Sequence, residues 1–119
     1  MKRFALSLGL VLVLACGQLA KASPVGGPGS TRGWVPAFSS VSFTEYFYGG
    51  SELAIVSIAG SGVTDLDLYV YDEFGILIAC GIGLTDRETV TFRPRWTGRF
   101  RIEVRNLGPV GNSFSLWTH

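Results

Sequence analysis

Asp65 and Asp67 stand two apart in the segment TDLDLYVYD, residues 64–72. On an extended chain both carboxylates leave one face about 7 Å apart. That spacing fits a glycosidase pair, although such pairs normally come from separate elements that line a cleft. It also fits a hard cation such as calcium, with Asp86 or backbone carbonyls completing the oxygen set. The third use, and the one favoured here, is two solvated acids on an exposed strand.

Five arginines, at 93, 95, 99, 101 and 105, face only Glu103 in the same stretch. A polyanion site is one reading. The other places this basic strand beside the acidic strand at 65–72 as cross-strand pairs. Charge favours the second: beyond residue 22 there are seven arginines, no lysine and nine carboxylates, so no nucleic-acid partner is expected. Among the aromatics, Tyr69, Tyr71 and Trp117 are the candidates for a carbohydrate platform, with Trp34 and Trp96 nearby in type. Aromatics of a small sandwich more often fill the core or cover an edge.

Nucleophilic chemistry finds little support. Cys80 ends the apolar run 76–80 and reads as a small residue inside a strand. A thiolate needs a base or cation beside it, and the single histidine is His119. There is no G-x-S-x-G elbow, no histidine pair for zinc and, past residue 22, no lysine for a phosphate loop. The chain is not expected to be an enzyme.

The first 22 residues have the three regions of an export signal: Lys2 and Arg3, the apolar run 4–15, and small residues Ala20 and Ala22 before a cut at Ser23. The apolar run is too short for a membrane span, which needs about 20 residues. VLAC at 13–16 offers an alternative, lipidation of Cys16 and anchorage as a lipoprotein. Leu14 is unusual two places before such a cysteine, which favours the cut at Ala22 and a secreted, periplasmic or extracellular product. That product keeps Cys80 alone, so no internal disulfide forms.

The elements that must position these residues are strands. Residues 23–37 are rich in proline and glycine and predict a flexible segment. After residue 22, Val, Ile, Thr and aromatics make 37 of 97 residues against four alanines. Strands are expected over 40–47, 52–59, 65–72, 76–80, 89–92, 99–105 and 113–118. The strand 52–59 is apolar on both faces and reads as central. In 65–72 and 99–105 the alternation is strict, with Leu66, Leu68, Val70, Phe100, Ile102 and Val104 turned inward. DEFG at 72–75 reads as the turn of a hairpin. Seven or eight strands at roughly ten-residue spacing, without helices, predict an all-β, two-sheet antiparallel sandwich of jelly-roll or Greek-key type over 38–119.

Three segments carry a resemblance: GSGVTDLDLYVYDEFG at 60–75, TGRFRIEVRNLG at 97–108, and Asn112 with Leu116 and Trp117. The chain resembles the bacterial pre-peptidase C-terminal domain over about residues 45 to 118. That resemblance implies a small secreted β-sandwich without an active site, usually appended to exported enzymes. Family members often carry a further Asp where this chain has Val63, and a polar residue near Cys80 and Gly81; both departures thin any cation site at that corner. The expectation is a monomeric, non-catalytic module that binds an exported protein or a cell-surface component. The alternative is a carbohydrate-binding module, with calcium as its cofactor.

Overall fold

The computed structural model describes residues 24–50 and 52–119. The export signal at 1–22, Cys16 and the cut at Ser23 lie outside the described residues. Eight strands run in chain order: β1 (Gly29–Val35), β2 (Ser40–Phe47), β3 (Ala54–Gly60), β4 (Leu66–Tyr71), β5 (Leu77–Gly81), β6 (Arg87–Phe92), β7 (Gly98–Asn106) and β8 (Asn112–Thr118). No helix among the described residues is long and apolar enough to cross a membrane.

The strands form two four-stranded sheets, ordered β1-β8-β3-β6 and β2-β7-β4-β5, with every pairing antiparallel. This is the jelly-roll arrangement, and it bears out the expected fold class. Alternation sets the core. Leu66, Leu68 and Val70 of β4 face Ile102 and Val104 of β7 and Val56 of β3 in one buried cluster. Toward one end of it Phe47, Phe92 and Phe100 pack edge-on or tilted, with ring centroids 5.3 to 5.8 Å apart. β3 is central in its sheet, as its composition predicts, but only one of its faces is fully buried.

One expectation needs correction. The segment expected to be flexible over 23–37 holds a strand, because Gly29–Val35 pairs along its whole length with β8. Ahead of it Pro24 is buried and bridges to Phe47. The sandwich therefore begins before residue 38. A backbone ladder needs no side chains, so glycines do not bar a strand when a partner strand stands ready. At Gly33 the missing side chain is used: a Cβ there would collide with the Phe114 ring.

The loops at one end are held by two asparagines that are almost fully buried, Asn106 and Asn112. The Asn106 amide donates to the carbonyls of Val35, Pro36 and Val110 at 3.3, 3.2 and 2.8 Å, while its oxygen accepts from Gly108 N–H at 2.9 Å. The Asn112 oxygen accepts from the Ser61 N–H and hydroxyl at 3.0 and 2.8 Å. Buried amides satisfied this completely fix loop geometry as firmly as apolar packing does.

Candidate functional site

β4 and β5 form the expected hairpin, and its turn is built on Asp72. The Asp72 carboxylate accepts from the N–H groups of Phe74 and Ile76 at 2.8 and 2.9 Å, and Gly75 adopts φ 81° to close the turn. The turn pushes Phe74 outward, 72% exposed, and tilts its ring against Trp96 with centroids 5.8 Å apart. Behind them lies a groove of about 500 Å³ lined by Ile76, Leu77, Ile78, Trp96, Arg93 and Arg95, among others.

β5 stands at the end of its sheet, paired with β4 on one side only. Ile76, Leu77 and Ile78 are all exposed there, and Ile82 and Leu84 beyond the strand extend the apolar run. Cys80 is exposed too. Cys80 thus lies inside a strand, as expected, but on its exposed side. An apolar run is ambiguous between a doubly covered strand and an uncovered edge, and here the edge wins because no strand is hydrogen-bonded to its far side among the described residues.

The aromatic platform does not assemble. Tyr69 and Tyr71 stack on the outer face of β4, centroids 6.4 Å apart, but Arg105 lies over Tyr69 and Arg101 over Tyr71, each 4.2 Å from the ring centre. Trp117 sits on β8, on the outer face of the other sheet. The basic strand β7 does lie beside β4, with Arg105 opposite Asp67 and Arg101 opposite Tyr71. Its ion pairs, however, run along β7: Arg105 meets Glu103 at 3.1 Å and Arg101 meets it at 3.6 Å. Burial alone would push the Glu103 carboxyl up; hydrogen bonds from Arg105, Ser40 and Tyr71, with the Arg105 charge, outweigh it and hold the group below its ordinary value.

Asp65 and Asp67 do come together, with a third acid that sequence reasoning missed. Oxygens of Asp65, Asp67 and Glu88 lie within 4.8 Å of one another. Asp86 is not part of this group. Its carboxylate accepts from the Gly62 N–H and, at 3.2 Å, from the Asn112 amide, so it belongs to the loop network. Glu88 arrives from β6, a strand of the opposite sheet. No spacing along the chain marks it. Asp67 is pushed up from the ordinary aspartate value, first by burial and then by the charges of Asp65 and Glu88, with Arg105 opposing.

No protein-family model and no characterised protein sequence matches the chain. Solved structures do match it. It is similar to a periplasmic lysozyme inhibitor of g-type lysozyme from Aeromonas hydrophila, with 14% identity and a TM-score of 0.58 over 86% of this chain and 90% of that one. It is also similar to the Yersinia pseudotuberculosis-derived mitogen, with 11% identity and a TM-score of 0.51 over 77% of this chain and 84% of the other. At these identities the likeness establishes a shared sandwich fold.

Proposed function

We propose that the chain is a non-catalytic binding domain that works outside the cytoplasm and docks an exported protein through the apolar edge at β5. The observation that carries this reading is the exposure of Phe74, Ile76, Leu77 and Ile78 along a turn and the strand after it, which pairs with a strand on one side only among the described residues. Covering such side chains gains about 25 cal/mol per Å², and the bare edge offers a partner strand a hydrogen-bonding template. The export pattern at 1–22 supplies the compartment. The resemblance to pre-peptidase C-terminal domains supports an accessory role, and one protein of this fold is named as an inhibitor of g-type lysozyme, which is a protein target. A carbohydrate platform is less favoured, because arginines cover both tyrosine rings.

The test starts with capture from the producing cells' envelope and culture fluid, followed by calorimetric titration of each captured protein. A g-type lysozyme serves as a defined probe from the start. A saturable complex is expected, weakened at least about tenfold by Ile78→Lys or Phe74→Asp, since a charge buried at an apolar interface is costly. Phe74→Asp should leave the fold intact, as its side chain is mostly in solvent. Complexes indifferent to both substitutions, or hydrolytic turnover by the chain itself, would overturn the reading.

A further inference from the structure

We infer that Asp65, Asp67 and Glu88 form a binding site for a divalent cation, with calcium the best fit. Asp67 is only 5% exposed, yet its Oδ1 has no hydrogen-bond partner, and the Oδ1 of Asp65 is buried and unpartnered as well. A carboxylate removed from water without donors is costly. Here one oxygen of each of two neighbouring carboxylates is so placed.

The structure makes room for this crowding. Glu88 passes beside Gly81 and Gly83, where a Cβ would stand 2.7 and 3.0 Å from its carboxylate oxygens. The Gly83 N–H holds one of those oxygens at 2.8 Å, which orients the side chain. The cation that could have balanced the group, Arg105, is instead bonded twice to Glu103 and laid over Tyr69. Three acids are thus gathered with no protein cation bonded to them among the described residues.

Coordination habit selects the ion. The three carboxylates offer ligand oxygens within 4.8 Å of one another. Calcium takes six to eight oxygens at about 2.3–2.6 Å in flexible geometry, whereas magnesium demands a near-ideal octahedron at about 2.0–2.1 Å and gives up its waters reluctantly. A cleft of about 540 Å³ opens beside Asp65, with Arg87 also in its lining. The site joins β4 of one sheet to β6 of the other, so a bound ion would clamp the sandwich at this corner. This inference is independent of docking at β5, and either can fail alone.

The full chain, produced with its leader in an exporting host and purified, is titrated with calcium chloride by calorimetry and melted in calcium or in EDTA. A dissociation constant between about 10⁻⁶ and 10⁻³ M is expected, with calcium at a hundred times that value raising the folded-to-unfolded ratio about hundredfold. Asp67→Asn and Glu88→Gln should each abolish the heat and the thermal shift while melting in EDTA no lower than the parent. Asp86→Asn should keep the affinity within about threefold, since it touches none of the ligands. Magnesium should bind at least about tenfold more weakly. Absence of any calcium response at about 10 mM, or an undiminished response from Asp67→Asn, would overturn the proposal.

Discussion

β4 holds one buried aspartate, Asp67, and a second, Asp72, follows it in the turn, and the two are treated in opposite ways. Asp72, 7% exposed, accepts two backbone N–H bonds from the turn it nucleates. Asp67, 5% exposed, accepts none and faces two other acids. Burial is nearly equal, so burial does not distinguish them. The difference is the donor supply: a turn bends N–H groups toward the acid that starts it, whereas a strand spends its N–H groups on the neighbouring strand. An acid on a strand interior must find its positive charge elsewhere, from a side chain or from solution.

The comparison can be broken at its shared element first. Leu68→Ala empties a fully buried site on the strand that joins both acids and should cost about 2–5 kcal/mol in urea unfolding. A smaller loss would mean that the sandwich collapses around the gap. Next, Asp72→Ala should cost about 1–3 kcal/mol, because the N–H groups of Phe74 and Ile76 lose their acceptor. Asp67→Asn, measured the same way in EDTA, should cost nothing or stabilise the fold. Equal losses for the two substitutions would erase the distinction between the two acids.

A further effect concerns acid. Glu103 is held below its ordinary value of 4.5, so its contribution is complete above that pH and disappears as pH falls through the lower folded-state value. Glu103→Gln should therefore flatten the loss of stability below about pH 4.5, by roughly 1 kcal/mol. Parallel acid curves for parent and variant would show that the Arg105 and Arg101 contacts do not stabilise the fold.

Much of this architecture is legible in the residues. The strict alternation at Leu66, Leu68 and Val70 and at Phe100, Ile102 and Val104 marks one buried face, and DEFG marks the hairpin. What escapes is everything decided by neighbours distant in sequence. β1 is a strand because β8 lies open beside it, and nothing within its own glycines says so. The apolar run 76–80 has the same composition whether covered or bare, and only the sheet order makes it an edge. Asp65 and Asp67 announce themselves by spacing, while Glu88 meets them from the opposite sheet, through space left by Gly81 and Gly83. The arginines at 101 and 105 were readable as charge, but their seat on two tyrosine rings depends on the register of β4 against β7.

Gly29 lies directly opposite Thr118 in the β1–β8 ladder, so the first and last strands enter and leave the sandwich at one corner, about 5 Å from each other across the pair. A few linking residues there would close the chain into a ring, and new ends cut at the exposed tip near Phe74 would give a permuted protein with every ladder preserved. The same geometry lets this unit be spliced into a loop of another protein as a self-contained insert, because host and guest would meet at a single narrow junction.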